Sequence, residues 1–173
     1  MKTLFRAGLA ALLLAAPAGL PGAMAGEVTA GDLTIADPWS RPGLPNRPAA
    51  AYLTVSNTGG TGDRLTAARS PAFGTIELHT VERDGDVMKM RPVDSIPVPA
   101  RGTATLAPGG YHLMLFDAER SFAEGESFAL TLVFEEAGAV DVEVSVSRSA
   151  PEGAMDHSDM DHSGMDHSGH GME

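Results

Sequence analysis

The 173-residue chain contains no cysteine. A protein without thiols cannot build a disulfide framework, so burial alone must hold its fold together. It also cannot build a blue-copper electron-transfer site, which needs a Cys thiolate, or a CxxC metal carrier, which needs two. Basic charge is scarce as well: 12 Lys and Arg stand against 23 Asp and Glu. A surface this acidic repels phosphate backbones, so nucleic acid is not the expected partner, whereas cations or a basic docking surface are. Long apolar runs are missing beyond the first residues, and no stretch sustains a 3.6-residue apolar period, which argues against long helices.

The one apolar run opens the chain. Lys2 and Arg6 precede Ala7 to Ala16, breakers follow at Pro17, Gly19 and Pro21, and Ala23-Met24-Ala25 closes the segment. That is the pattern of a secretory signal peptide, with cleavage expected before Gly26. The run falls short of the roughly 20 residues of a membrane span, so a retained anchor is the weaker alternative. Loss of residues 1–25 leaves 10 basic and 23 acidic residues, a net charge of −13. The mature protein is expected to be soluble, outside the cytoplasm and monomeric, with no membrane insertion after cleavage.

What remains reads as strands. Val140 to Ser147 alternates strictly between apolar and polar residues, and Phe128, Leu130, Leu132 and Phe134 alternate just before it. With a turn at 135–138 the two predict a hairpin. Further strands are predicted at 33–36, 50–57, 64–68, 75–81, 86–93, 103–106 and 111–116. Turn signals at 57–62, 84–85, 97–102 and 108–110 separate them. Short strands at this spacing predict an all-β, antiparallel, cupredoxin-like or Ig-like Greek-key β-sandwich over residues 26–148. Residues 37–48 carry four prolines and are expected to form a loop or edge, not a central strand. Trp39, the only Trp, reads as a core or rim aromatic, or more sharply as a lid beside a metal or docking surface.

After Arg148 the composition changes. A five-residue repeat places Met155, His157, Met160, His162, Met165 and His167 among aspartates and serines, and His170 and Met172 close the chain. Nothing in residues 149–173 can build a core, so they are expected to be disordered without a ligand. The blandest reading is a solvated low-complexity end. His-rich tracts, however, have few other physical uses than metal binding, with imidazole and carboxylate suiting Cu(II) and thioether suiting Cu(I). Such a tail would raise the local metal concentration for a folded site, and its hold should weaken below about pH 6.5 as imidazole protonates.

Between Gly26 and Arg148 there are only two histidines, His79 and His112, and three methionines, Met88, Met90 and Met114. A lone His or Met in a sandwich is more often structural than a ligand. Here, however, His112 and Met114 are two apart on one predicted strand and share a face, as Met88 and Met90 do on another. His79 ends a third strand. Four soft or borderline donors, His79, Met90, His112 and Met114, can therefore converge on one edge of the sandwich. Thioethers add little for zinc, calcium or magnesium, so two of them beside two imidazoles favour Cu(I). Without a thiolate such a site should release its ion more readily than a Cys site. Met88 is expected to pack.

The spacing His79-x10-Met90-x21-His112-x-Met114 matches the copper-ligand motif of the PCuAC-type periplasmic copper chaperones. The chain also resembles that family at Asp37-Pro38-Trp39-Ser40-Arg41, Ala49 to Leu53, Val87 to Val93 and Pro108 to Leu115. The resemblance covers residues 30–147. It implies a cupredoxin-like sandwich that binds one Cu(I) at an exposed His2Met2 site. It further implies delivery to the CuA centre, or another copper centre, of a respiratory oxidase, in a pathway with a Sco-like thiol protein. A periplasmic copper buffer is the alternative. An enzyme is not expected: the serines lack a nucleophile-elbow pattern, and copper oxidase chemistry wants more than two histidines.

Overall fold

The computed structural model describes residues 26–85 and 87–151; the expectations for residues 1–25 and for the Met/His repeat lie outside the described residues. Eleven strands form, and the described residues contain no helix. They are β1 (Val28–Ala30), β2 (Leu33–Ser40), β3 (Ala49–Asn57), β4 (Asp63–Arg69), β5 (Phe73–Asp84) and β6 (Val87–Pro92). β7 (Ile96–Val98), β8 (Gly102–Leu106), β9 (His112–Ala118), β10 (Ser127–Phe134) and β11 (Gly138–Val146) complete them. One hydrogen-bonded path runs β6-β5-β9-β3-β2-β11-β10-β4-β7, with β1 paired to β2 and β8 to β3.

This path curls over a single core, giving the expected β-sandwich. The alternation in β10 and β11 places Phe128, Leu130, Leu132 and Phe134 opposite Val144, Val142, Val140 and Gly138 in register. The phenylalanine, leucine and valine side chains among them join Ile35, Val55, Leu65, Ile96, Leu113 and Leu115 in the buried interior. Because side chains alternate across a strand, a one-residue slip would turn the whole set to solvent, so the pattern fixes the register. Phe73, Phe122 and Phe128 close one end, with ring centroids 5.0–5.4 Å apart.

Four details depart from the sequence reading. β1 and β7 are extra strands, each of three residues. β5 does not end near Val81 but runs to Asp84, with Gly85 at φ 64° in the turn. The pairing is antiparallel except where β11 meets β2, with Ser145 and Val146 parallel to Trp39 and Ser40. Strands from opposite ends of the chain meet there without a local crossover, so either direction is available.

The fourth departure bears on the metal-ligand face. Residues 37–40 are not a loop: β2 continues through Pro38 to Ser40 and lies between β3 and β11. The proline is accommodated because the β2–β3 register shifts between Ala36 and Trp39, where a bulge leaves its missing N–H without consequence. Asp37 takes φ 49° there. The extra residue also reverses the side-chain parity. Leu33 and Ile35 point into the core, but Trp39 pairs with Tyr52 on the opposite face.

Leu113, fully buried between His112 and Met114, anchors β9 to the core. Leu113→Ala is expected to destabilise the protein by about 2–5 kcal/mol, the usual range for a buried Leu truncation, as measured by urea denaturation.

Candidate metal centre

β9 lies directly beside β5, and β5 beside β6. His112 is paired with His79 across β9 and β5, and Met114 with Glu77. Across β5 and β6, His79 is paired with Pro92 and Val81 with Met90. Directly paired residues project to the same face, and so do residues two apart on one strand. His79, Met90, His112 and Met114 therefore share one face, while Leu78 and Leu113 carry the opposite face into the core. Trp39 and Tyr52 continue the row on β2 and β3. Ring centroids are 4.8 Å apart for Trp39 and Tyr52, 6.5 Å for Tyr52 and His112, and 5.8 Å for His112 and His79.

The two imidazoles are each held by one nitrogen. His112 Nδ1 lies 2.9 Å from the carbonyl oxygen of Gly110. A carbonyl only accepts, so Nδ1 carries the proton and Nε2 the lone pair. The Pro108-Gly109-Gly110 turn supplies that carbonyl, with Gly109 at φ 87° and the Gly110 N–H donating to Ala107. His79 Nε2 lies 2.8 Å from Glu77 Oε2, and with the carboxylate oxygen accepting, the lone pair here is on Nδ1. Both free nitrogens, His79 Nδ1 and His112 Nε2, are buried and have no hydrogen-bond partner. One ring nitrogen anchored to a carbonyl or carboxylate with the other left bare is the arrangement of metal-ligating histidines.

The sulfurs are placed less evenly. Met114 is half-buried in the row next to His112. Met90 is 63% exposed on β6, a strand exposed along its whole length. Met114 sits level with residue 77 of β5 and Met90 level with residue 81. At about 3.3 Å per residue they are roughly 13 Å apart along the strand direction. His79, His112 and Met114 thus form a compact group, with Met90 outlying on the opposite diagonal of His79. Met88 does not pack as expected: it is 54% exposed, on the same face as Met90 and paired with Arg83. The hairpin extends beyond the core, so β6 has no layer to pack against.

Among the described residues no group of three or more His, Cys, Asp and Glu side chains could hold a metal. A hard, carboxylate-rich site is therefore not what this face offers; it offers imidazole nitrogen and thioether sulfur. Sequence reasoning did not find Glu77, although its i, i−2 relation to His79 was visible. It also did not place Tyr52 beside His112, because that contact depends on the β3–β9 register. Burial pushes the Tyr52 phenol above its ordinary value, with nearby Arg41 opposing, so a neutral hydroxyl borders the site.

With this geometry in view, comparison with known proteins places the chain. Residues 33–146 match the family model described as "Putative lipoprotein LpqE-like". The chain belongs to this family. Solved structures add detail. An apo PCuAC domain from PmoF1 superposes with a TM-score of 0.60 at 30% identity, covering 72% of this chain and 99% of that one. A copper-bound PCuAC domain from PmoF2 gives 0.59 at 32% identity, over 72% and 98%. The CuI form of DR1885 from Deinococcus radiodurans gives 0.52 at 30% identity, over 65% and 76%. These matches make this LpqE-like chain a PCuAC-type domain protein, as its motif spacing implied. Its matches span 59% of the length of a Leifsonia xyli relative, "Putative lipoprotein Lxx21020", and 66% of RP573 from Rickettsia prowazekii. Identity to these is 33% and 31%.

Tyr52 gives a pH prediction. Its folded-state affinity for the proton exceeds that of the unfolded chain, so its stabilising contribution is full below about pH 10 and is lost as pH rises beyond. Denaturation midpoints across the alkaline range should fall more steeply for the wild type than for Tyr52→Phe.

Proposed function

We propose that this LpqE-like domain carries one Cu(I) on His79 Nδ1, His112 Nε2 and the sulfurs of Met114 and Met90, and delivers it to a respiratory oxidase copper centre of the CuA type. The observation that carries this reading is the pair of buried, unpartnered imidazole nitrogens on adjacent strands, with the Met114 thioether beside them and Met90 outlying on the same face. Leaving a buried polar atom unpaired costs about 1–3 kcal/mol, a cost removed when a metal takes the lone pair. Thioether donors select copper(I) over zinc, calcium or magnesium. The copper-bound PmoF2 domain and the CuI form of DR1885 support the same ion.

The donor set suits a carrier. All four ligands are neutral and none is a thiolate, so the ion is held without the strongest available donor. An acceptor that offers thiolates, such as a Sco-like thiol protein or the oxidase subunit itself, would draw the ion away. Met90, exposed and outlying, is the ligand an acceptor would displace first, whereas His112 and Met114 on the core-anchored β9 would let go last. No chemical transformation is required of the domain, and it acts as a binding and transfer protein. Lipoprotein naming among relatives and the leader-like N-terminal sequence support export to the periplasm or envelope.

In this reading Met155, His157, Met160, His162, Met165, His167, His170 and Met172 are an auxiliary copper-binding tract. Cu(I) titration against a competing chelator separates the two sites. Residues 26–151 should take one tight equivalent, with weaker extra equivalents in the chain that also carries residues 152–173. His112→Ala and Met114→Ala should each abolish the tight equivalent. Intact binding in both variants would contradict the assignment. Transfer to a copper-free acceptor within minutes is expected; retention of several equivalents with no transfer would mark a copper store instead.

A further inference from the structure

Of the two imidazoles, His112 is fixed by the main chain and His79 is not. The Gly110 carbonyl that orients His112 belongs to the turn leading into the same strand, and no side-chain substitution removes it. His79 makes one hydrogen bond, and its partner is a side chain: Glu77 Oε2 at 2.8 Å. Nothing about the fold calls for a glutamate at position 77. The residue lies on a strand, where Glu is disfavoured, and its carboxylate is about half exposed and forms no other ion pair among the described residues. It shares the face of His79, two residues away, and is cross-strand partner to Met114. It therefore stands at the border of the compact donor group without being part of a hard-ligand cluster.

We infer that Glu77 is a positioning residue for copper: its carboxylate accepts a hydrogen bond from the Nε2–H of His79 and so keeps the lone pair on the buried Nδ1. The inference rests on the copper-carrier reading for its consequence, but not for its geometry. Neutral imidazole favours the Nε2–H form only modestly, so without an acceptor at Nε2 the ring distributes between two tautomers and no polar contact sets its orientation. Only one of these arrangements leaves the bare nitrogen buried, as His112 Nε2 on the neighbouring ring also is. A carboxylate partner removes the others before the ion arrives and raises the basicity of the ligating nitrogen. Placing this hold on a solvent-accessible side chain, while His112 is held by backbone, makes His79 the adjustable imidazole of the pair.

Nitrogen-resolved NMR of the histidine rings in the copper-free mature chain, at a pH where imidazole is neutral, tests this directly. The His79 signals are identified by their loss in His79→Gln. The wild type should show His79 as the Nε2–H tautomer, and Glu77→Ala should shift it to a mixture, with His112 unchanged. The same variant should weaken the tightest Cu(I) equivalent about 10-fold or more, the usual effect of removing an outer-shell partner. Glu77→Gln keeps an acceptor oxygen and should restore the tautomer and most of the affinity. An unchanged His79 tautomer in Glu77→Ala would overturn the inference. So would equal affinity losses in the Ala and Gln variants with the tautomer retained, which would assign the effect to charge. A wild-type chain that takes up no Cu(I) at all would sink the carrier function instead, while the copper-free spectra would still decide whether Glu77 holds the ring.

Discussion

The pairing of His79 with His112 across β5 and β9 is the contact on which the rest of the site depends. It puts two bare nitrogens into a buried, partnerless position, something native proteins largely avoid because the desolvation cost is uncompensated. A fold keeps such a defect only where something else makes use of it. Once the register is set, the remaining donors derive from strand geometry. Met114 is two residues along from His112, and Met90 is on the diagonal across β6. Shifting β5 by one residue against β9 would turn His79 into the core and Leu78 out to solvent, so the hydrophobic pattern that stabilises the sandwich also fixes the metal face.

The bulge in β2 serves the same face from the other side. Trp39 would face inward if β2 kept its parity, and the extra residue at Asp37 and Pro38 re-aims it onto Tyr52. The two rings, both buried, wall the imidazole row on the side away from β6. The centre is thus walled by buried rings toward β2 and β3, and open toward the β5–β6 hairpin. That polarity suits an ion that is received and given up along one edge. It also separates this centre from the acidic hollow at Asp32, Asp63 and Glu136, where the Asp63 carboxylate is occupied by the backbone N–H groups of Arg64, Glu136 and Ala137.

Much of this was legible in the residues. The period-2 alternation of β10 and β11 needs no partner to be read, and nine of the eleven strands fall where pattern and turn residues put them. β1 and β7 escaped because three residues carry too little pattern. The end of β2 escaped because Pro38 argues against a central strand unless a bulge is known to accommodate it. At the site, the rarity of His and Met in the domain and their i, i+2 spacing exposed the four candidate donors. What the sequence withheld was cross-strand register: which imidazole faces which, and which residues border them. Met88 shows the same gap, since burial of β6 depends on whether a second layer covers the hairpin.

The central claim is that sulfur and nitrogen from this one face hold copper(I) together. X-ray absorption at the copper edge, on residues 26–151 loaded with one equivalent under reducing conditions, tests it most directly. A mixed first shell of imidazole nitrogen and thioether sulfur is predicted, with the sulfur contribution reduced in Met114→Leu. A shell of nitrogen and oxygen alone would contradict it.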